Sequence, residues 1–480
     1  METTLLIKMF IRDYVKEIQE SNAAIFAGAG LSRELGFVDW KGLLKEIALD
    51  LGLDVYKEDN LIALAQFHVN EYKRTKINQT ILKEFTKNAE NTPNHDILTR
   101  LPIKTYWTTN YDTIIEDVFK KSDKLLDVKT DPNTISDNLP NRDAILYKMH
   151  GDVKNVSNAV ITKDDYEGYN THRKLFTNGL IGDLTTKTFL FIGFSFNDPN
   201  LSYILSRVNS LLEESIRTHY CFMKELELKD TNGDNNLFIY QTVKQKLVIK
   251  DMERYGVKTI LIKKYSDITI ILKLIESQFR NKNIFISGSA HEYGKYTEND
   301  IMEFSSNLSK DLIRIEKNII TGFGLGIGSY IISGALEELY NNKKKIETRL
   351  LLRPFPQNIQ DPDIRKKTFT KYREDMLSDA GISIFMFGNK ISHEDKSIQL
   401  ADGVMEEFSI ATKNGSIPIP IGAFGYISKK LWDIVMNDFS HYVPSPDLKS
   451  LYEIIGDNTK TTNELLQAVI KIIEELSKIK

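Results

Sequence analysis

Residues 23–32 read AAIFAGAGLS, an apolar run that leads directly into the small residues Gly28, Ala29, Gly30 and Ser32. An apolar run that ends in closely spaced glycines is typical of a buried strand that turns sharply into a helix in an α/β sheet. Small residues in such a turn let backbone N–H groups approach a pyrophosphate. An isolated match of this kind is equally consistent with a tight turn that binds no ligand, so the rest of the chain has to decide.

Outward from this loop, short apolar runs alternate with longer segments of helical periodicity along the whole chain. The alternation predicts an α/β fold in which crossover helices connect parallel strands. The runs that predict buried strands are residues 23–26, 105–108, 144–149, 189–192, 258–262, 284–286, 318–320, 349–352, 382–387 and 417–421.

The length of the chain predicts two domains, because 480 residues exceed the size that one hydrophobic core usually serves. A helical segment at residues 267–279 ends in a polar stretch, and a new strand starts at residue 284. We therefore place the first domain at residues 1–282 and the second at residues 283–480. Each is expected to be Rossmann-like, with a mainly parallel sheet flanked by helices.

The composition narrows the class of protein. A formal net charge of -3 gives no general attraction to a polyanion, so we expect no nucleic-acid partner. No apolar run reaches the roughly 20 residues of a membrane-spanning helix, so we expect neither a membrane span nor a signal peptide. The single cysteine, Cys221, permits neither an intrachain disulfide nor a cysteine-ligated zinc site and fits a reducing cytoplasm.

Three further strand ends in the first half carry polar residues or glycine. The second run is followed by Thr109, Asn110 and Asp112, the third by His150 and Gly151, and the fourth by Gly193 and Ser195. Because parallel α/β sheets place ligand-binding groups at the carboxyl ends of their strands, these residues are expected to face one cleft. A lone histidine there is usually structural, so the argument depends on the convergence of all these ends.

Together these motifs resemble the sirtuin family over roughly residues 15–265, and they occur in the family's order. The glycine loop resembles the sirtuin cofactor loop, and Gly193 with Ser195 resembles the later ribose-binding strand end. Thr109, Asn110 and Asp112 resemble the T-x-N-x-D segment, and His150 with Gly151 resembles the catalytic histidine and glycine.

The resemblance implies that the first domain cleaves NAD⁺, which is its substrate. Scission of the nicotinamide glycosidic bond passes through an oxocarbenium-like transition state and needs a positioned water, a base near neutral pH and shelter from solvent. His150 suits the base because imidazole titrates near pH ~6.5, and Asn110 suits the orientation of water or ribose. Besides these two catalytic residues, the implied NAD⁺-binding residues are Gly28, Ala29, Gly30, Ser32, Asp39, Asp112, Gly193 and Ser195.

Two departures from the sirtuin pattern affect the expected reaction. Residues 36–40 read GFVDW where sirtuins carry G-x-P-D-F-R, so Asp39 and an aromatic residue are kept while the proline and arginine are not. Deacylating sirtuins usually hold zinc with four cysteines, whereas this chain has one cysteine. We therefore expect no metal, and water rather than an acyl-lysine is expected to intercept the ribosyl cation and give ADP-ribose.

The second domain carries two comparable strand-to-loop transitions. The strand at residues 284–286 leads into Ser287, Gly288 and Ser289, and residues 321–329 read TGFGLGIGS before a predicted helix. Glycines that precede a helix N-terminus favour phosphate contact. A glycine-rich turn needed only for strand–helix packing is the alternative.

This half resembles the SLOG group of nucleotide-binding domains over about residues 283–480. The related phosphoribohydrolases carry a P-G-G-x-G-T segment, which is replaced here by Ala401, Asp402 and Gly403, so binding is expected rather than hydrolysis. Arg373 and Lys390 are expected to clamp phosphates and Glu407 to accept from a ribose hydroxyl, although a surface salt bridge is the alternative for each. The complete expected set is Gly288, Ser289, Gly322, Phe323, Gly324, Gly326, Arg373, Lys390 and Glu407.

A sirtuin-like domain joined to a SLOG domain resembles the effector family of the Thoeris antiphage defence system. The resemblance implies that a TIR-domain partner enzyme makes a cyclic ADP-ribose isomer, which binds the SLOG domain and activates depletion of NAD⁺. It also implies a homo-tetramer. Two alternatives stay open: an NAD⁺-dependent protein deacylase, and a nucleotide-binding sensor or scaffold without turnover.

Overall fold

The apolar runs of the sequence form the strands of two separate parallel sheets, each flanked by helices, which confirms the predicted α/β class. The structure, a computed structural model, describes residues 4–87, 90–194, 199–212, 217–356, 358–392 and 396–478. The chain divides into two compact units, Met1–Glu276 and Ser277–Lys480. The division falls inside one helix, Ser266–Arg280, and the domain boundary after residue 282 stays a prediction.

The first unit contains seven parallel strands, which lie in the order β3-β4-β2-β1-β5-β6-β7 when numbered along the chain. Their bounds are β1 Ala23–Ala27, β2 Thr105–Thr108, β3 Leu126–Lys129, β4 Ala144–Lys148, β5 Thr188–Ile192, β6 His219–Lys224 and β7 Val257–Ile262. The central strands β1 and β5 are buried at every residue, as expected for strands covered on both faces. Phe26 on β1 stacks on Phe191 on β5 with ring centroids 5.3 Å apart, so the glycine loop follows a rigid strand.

Helices cover both faces of this sheet and supply the segments around the strand ends. Their bounds are α1 Leu5–Gln19, α2 Ala29–Ser32, α3 Trp40–Asp50, α4 Leu61–Tyr72, α5 Thr75–Phe85, α6 Pro93–Arg100, α7 Ile114–Lys121, α8 Lys163–Glu167, α9 Tyr169–His172, α10 Lys174–Thr186, α11 Pro199–Leu212, α12 Asn235–Glu253 and α13 Ser266–Arg280. Across the described ranges, no helix combines the length and the apolar character needed to cross a membrane.

The second unit is built on a five-stranded parallel sheet and a separate two-stranded antiparallel hairpin. The strands are β8 Asn283–Ser289, β9 Asn318–Thr321, β10 Leu350–Leu352, β11 Ile382–Phe387, β12 Asn389–Ile391, β13 Ile398–Leu400 and β14 Ile417–Pro420. The sheet order is β10-β9-β8-β11-β14, and β12 pairs with β13. The helices are α14 Glu298–Arg314, α15 Gly328–Asn341, α16 Pro362–Leu377, α17 Asp402–Lys413, α18 Tyr426–Asn437, α19 Phe439–Tyr442, α20 Lys449–Gly456 and α21 Thr462–Lys478.

Four strands lie outside the apolar runs that predicted the others: β3, β6, β12 and β13. On β3 the polar residues pair with each other, since Lys129 Nζ lies 2.9 Å from Asp127 Oδ1 and both side chains are buried. On β6 the buried His219 accepts a hydrogen bond from the Phe189 N–H through Nδ1 at 3.1 Å. Buried polar residues with partners inside the sheet therefore concealed β3 and the start of β6 from a search for apolar runs, whereas β12 and β13 are only three residues long.

Candidate functional site

The strand register of the first unit brings the predicted site residues to one edge of the sheet. Ala27 pairs with Thr108 on one side and with Ile192 on the other, and Thr108 pairs with Lys148. The strands β1, β2, β4 and β5 therefore end at the same level. The loops that follow them carry the glycine loop, Asn110, His150 and Gly193, so these four segments share one sheet edge as the sequence predicts.

The glycine loop after β1 packs directly against the end of β5. The Gly28 N–H donates to the Ile192 carbonyl at 2.9 Å, and the Gly30 N–H donates to the Gly193 carbonyl at 2.8 Å. Gly193 has φ +64, and a Cβ there would overlap the backbone nitrogen of Leu31. The glycines are thus needed for the close packing of this loop against the end of β5. The N–H groups of Gly28 and Gly30, which were expected to meet a pyrophosphate, already donate to carbonyl groups.

Asn110 bridges two of the strand-end loops. Its side-chain amide donates to the Gly28 carbonyl at 3.2 Å and to Ser32 Oγ at 3.4 Å, while its own N–H donates to Thr108 Oγ1 at 2.9 Å. The residue is buried, so these contacts fix the amide in one place. The position suits a group that orients a ligand without adding charge.

Asp112 is buried two residues further along the same loop. Its Oδ1 accepts a hydrogen bond from the Ile114 N–H at 3.1 Å. Burial raises the pKa of the Asp112 carboxyl, and Lys148, the Ile114 amide and the Ser32 hydroxyl oppose that rise. Burial therefore favours the protonated form of this carboxyl, and the nearby Lys148 ammonium favours the ionised form.

His150 follows β4 and is 1% exposed. Its ring packs edge-on against Tyr166, with centroids 5.5 Å apart, and against Tyr169 at 6.3 Å. Its carbonyl accepts from the Val160 N–H at 2.9 Å. The histidine is thus held in an aromatic setting at the edge that also carries Asn110.

Two adjoining cavities open at this edge and share Ala29, Asp39, Trp40 and Thr109 in their linings. The larger, of about 760 Å³, contains Ala29, Gly30, Asp39 and Gly193 from the predicted set. The smaller, of about 30 Å³, contains Ala29, Ser32, Asp39, Asn110 and Asp112. Among the described residues, Gly28 and His150 line neither cavity, and Ser195 lies outside the described residues.

Asp39 has a clear local role at the cavity wall. Its carboxylate caps α3 by accepting from the Gly42 N–H at 2.9 Å, and it lies 4.0 Å from the Arg33 guanidinium. Trp40, Tyr166 and Phe194 complete the aromatic part of the larger lining. None of these three was among the predicted site residues, and only Trp40, in the GFVDW segment, offered a signal.

The second unit holds a cavity of about 250 Å³ where β8 and the loops after β9 and β10 meet α16 and α17. Its lining includes seven of the predicted residues: Gly288, Ser289, Gly322, Phe323, Gly324, Arg373 and Glu407. Gly326 and Lys390 are not among its lining residues in the described chain. The Gly326 carbonyl accepts from Tyr293, and the half-exposed Lys390 lies 3.4 Å from Asp402.

Arg373 is the cation at the wall of this cavity. Its Nη1 lies 2.8 Å from Glu406 Oε2, its Nε lies 3.4 Å from Glu407 Oε1, and its guanidinium sits 4.9 Å from the centroid of the Phe355 ring. Ser287 Oγ donates to Glu407 Oε2 at 2.5 Å. Burial raises the pKa of Glu407, against the opposing effects of Ser287 and Arg373.

Three contributors to the second cavity were missed by the sequence analysis: Ser287, Phe355 and Glu406, of which the first two line the cavity and the third holds Arg373. Ser287 stands beside the selected Gly288 near the end of β8, and Glu406 precedes the selected Glu407 in α17, so adjacency was the available signal for both. Phe355 reaches the site only through the packing of a distant segment.

No group of three or more histidine, cysteine, aspartate or glutamate side chains in the described part of the chain is arranged to hold a metal ion. Cys221, the single cysteine of the sequence, is a buried thiol on β6. Burial raises its pKa to about 11, although Thr259 opposes this. The residues present therefore do not fit a four-cysteine zinc site.

Comparison with known proteins places both units in described families. The family model of the SIR2-like domain matches residues 104–242, and that of the Sir2- and TIR-associating SLOG family matches residues 267–476. The NAD(+) hydrolase ThsA of Bacillus cereus (strain MSX-D12) is 45% identical over 482 residues, which cover 99% of this chain and 100% of that protein.

Two further relatives carry the same name. The NAD(+) hydrolase ThsA of Acinetobacter baumannii (strain 532279) is 45% identical over 475 residues, with 97% of this chain and 98% of the relative covered. That of Cytobacillus dafuensis is 43% identical over 479 residues, with 98% and 96% covered. Identity at this level over nearly the whole length of both chains, together with the two matched domains, shows that the chain belongs to the ThsA family.

Proposed function

We propose that the first unit hydrolyses NAD⁺ to nicotinamide and ADP-ribose, with Asn110 and His150 as its catalytic residues. The observation that carries the proposal is the buried Asn110 amide, which Gly28 and Ser32 hold in the lining of the smaller cavity at the shared strand edge. Full-length relatives named NAD(+) hydrolase support it. Gly28, Ala29, Gly30, Ser32, Asp39, Asp112, Gly193 and Ser195 are the proposed NAD⁺-binding residues.

The proposed chemistry assigns separate tasks to these side chains. Departure of nicotinamide leaves positive charge on the ribose, and water attacks the carbon that loses the base. Asn110 orients the water or the ribose, and His150 acts as the base that takes the proton of the incoming nucleophile. Asp112 accepts hydrogen bonds from the carboxamide, and the aromatic lining of Trp40 and Tyr166 shelters the site.

A product analysis in water labelled with a heavy oxygen isotope tests this reaction against both alternatives. Hydrolysis predicts nicotinamide and ADP-ribose that carries one labelled oxygen. A deacylase predicts an O-acyl-ADP-ribose that forms only when an acylated peptide is supplied, and a sensor without turnover predicts unchanged NAD⁺. ADP-ribose incubated without protein for the same time corrects for spontaneous exchange of its carbonyl oxygen.

We further propose that the cavity of the second unit binds a cyclic ADP-ribose isomer that activates the first unit. Arg373 is the proposed phosphate contact, and Glu407 is the proposed acceptor for a ribose hydroxyl. Gly288, Ser289, Gly322, Phe323, Gly324 and Gly326 supply the proposed loop contacts, with Lys390 as a second cation. Binding activates only if the ligand prefers the active state of the chain over the resting state.

The proposed setting is the cytoplasm of a cell that carries a Thoeris antiphage system. There a TIR-domain enzyme makes the cyclic nucleotide on infection, and the activated chain depletes NAD⁺. The matched family description, Sir2- and TIR-associating SLOG, supports the link to a TIR partner. The free thiol of Cys221 supports a reducing compartment.

A broad apolar surface on α12 supports the proposal that copies of the chain associate, with a tetramer as the proposed state. Ile239, Val243 and Leu247 are four residues apart, so they lie along one helix face. An exposed apolar face of this extent is typical of an interaction surface. The exposed apolar residues of α12 are Leu237, Ile239, Tyr240, Val243, Leu247 and Val248.

We predict that the double change Val243→Glu and Leu247→Glu lowers the molar mass measured by light scattering to that of a smaller assembly, because it buries charge at the proposed contact. The matched control is Leu49→Glu on α3, since Leu49 and Leu247 are each 64% exposed. A wild-type chain with the mass of one copy, or an unchanged mass in the double variant, would contradict the role of α12.

We also predict that activity survives strong chelators and the substitution Cys221→Ser. A single cysteine cannot build a thiolate metal site, and a serine hydroxyl at this place lies within reach of Thr259 Oγ1, which is 3.5 Å from the thiol. Nicotinamide release and the thermal unfolding midpoint, each measured with and without chelator, check the prediction. Unfolding or lost turnover on chelation would contradict the prediction, because it would show that the chain needs a metal ion.

A further inference from the structure

A fully buried lysine connects the two segments that carry the proposed catalytic residues. Lys148 is the last residue of β4, and its side chain is 0% exposed. Its Nζ donates to the Asp112 carbonyl at 2.6 Å and to the Tyr111 carbonyl at 3.3 Å. It also lies 2.9 Å from Glu116 Oε1 and 2.5 Å from Asp152 Oδ2.

We propose that Lys148 is a positioning residue for NAD⁺ cleavage, which fixes the Asn110 loop and the His150 turn in one arrangement. The proposal rests on the proposed function of the first unit. Tyr111 and Asp112 directly follow Asn110, and Asp152 lies two residues after His150. One ammonium group therefore reaches both catalytic segments through contacts at their immediate neighbours.

Backbone hydrogen bonds also join the same two segments, but these bonds do not fix the positions of the side chains. The Val153 N–H donates to the Tyr111 carbonyl at 3.0 Å, and the Met149 N–H donates to the Thr108 carbonyl at 3.0 Å. The Asp152 carboxylate also accepts from the Lys154 N–H at 2.6 Å, so the turn after His150 is tied to the lysine through Asp152. Displacement of reacting groups by ~1 Å can lower a rate about a hundredfold, so small shifts here matter.

The electrostatics of the cluster keep the lysine charged. Burial disfavours the ammonium, but Glu116 and Asp152 more than offset this effect and leave the pKa of Lys148 above its usual value. Burial in turn raises the pKa of Glu116, against the effect of Lys148. Buried ion pairs contribute little net stability compared with apolar replacements, so stability alone is a weak reason for this arrangement.

The decisive variant removes Lys148 together with its two ion-pair partners, so that neither Glu116 nor Asp152 is left as an unpaired buried carboxylate: Lys148→Met with Glu116→Gln and Asp152→Asn. We expect it to fold, to bind NAD⁺ with an unchanged KM and to lose kcat about tenfold to a hundredfold. The matched control, Lys129→Met with Asp127→Asn, removes a buried pair of β3 whose members line neither cavity, and it should keep kcat. If the triple variant does not fold, the milder Asp152→Asn is expected to show the same pattern, a lower kcat at an unchanged KM.

The outcomes separate this proposal from the function on which it rests. A folded triple variant, or a folded Asp152→Asn if the triple variant does not fold, with wild-type kcat would overturn the role of Lys148 alone. A raised KM with unchanged kcat would also overturn it, because the lysine would then serve binding. Absence of nicotinamide release from the fully activated wild-type chain would overturn the proposed function and this inference together.

Discussion

Nicotinamide release is expected to fall by about 10²- to 10⁴-fold when His150 or Asn110 is replaced by alanine, while the chain stays folded. Loss of a general base typically has an effect of this size. Asn110→Ala removes the side-chain contacts to Gly28 and Ser32 that hold the amide beside the cavities. The backbone hydrogen bonds of both loops do not depend on either side chain, so the fold is expected to survive.

The measurement is nicotinamide release at saturating NAD⁺, with the unfolding midpoint recorded for each variant. His172→Ala, at an exposed histidine on α9, is the matched control and should retain full turnover. Near-normal turnover in either His150→Ala or Asn110→Ala would show that the catalytic residues lie elsewhere.

Arg373→Ala is expected to weaken binding of the cyclic nucleotide by roughly tenfold to a hundredfold and to remove activation at ligand concentrations that activate the wild type. Loss of a charge-assisted contact costs about 1.5–3 kcal/mol, which corresponds to that factor. Arg373 lines the cavity of the second unit, where Glu406, Glu407 and Phe355 hold its guanidinium. Because coupling is reciprocal, any coupling that this substitution removes is lost in both directions, so NAD⁺ then favours binding of the activator less as well.

Calorimetry gives the affinity for the cyclic nucleotide, and nicotinamide release gives the activation, on the same preparation. Arg314→Ala is the matched control, since Arg314 pairs with Asp311 and Glu338 and does not line the cavity. Unchanged affinity together with unchanged activation in Arg373→Ala would place the activating site elsewhere.

Most of the fold follows from local patterns, because the central strands are continuous apolar runs. The runs at residues 23–26, 189–192 and 382–387 correspond to buried strands. The missed strand β3 carries Asp127 and Lys129, whose partners outside the strand, Arg142 for Asp127 and the Asp137 carbonyl for Lys129, are not marked by any local pattern. A polar strand cannot be distinguished from a loop until its partners are known.

The candidate sites were predictable where residues follow strand ends and unpredictable where distant segments meet. The sequence selects Asn110 and His150 because each lies just after a strand, and the register brings those ends together. Tyr166 reaches the cavity from a separate helix, and no local pattern marks it. Lys148 stands two residues before His150, but lysine is usually exposed, so its complete burial could not be read from the sequence.

Gly326 and Lys390 were predicted for the second site but are not among the described residues that line its cavity. Lys390 lies on the short strand β12, which pairs with β13 in a hairpin that the apolar runs did not predict. That hairpin leaves Lys390 half-exposed and close to Asp402. Its proposed contact with a phosphate therefore requires the ligand to extend beyond the cavity.

Titration of cyclic ADP-ribose isomers into the full chain shows whether nucleotide binding by the second unit controls NAD⁺ cleavage by the first. Nicotinamide release at fixed NAD⁺ is followed alongside occupancy by calorimetry. We predict that release rises with one isomer and saturates over the same concentrations at which that isomer fills its site. If an isomer binds but the rate of release does not change, and no other isomer raises that rate, then nucleotide binding by the second unit does not control NAD⁺ cleavage.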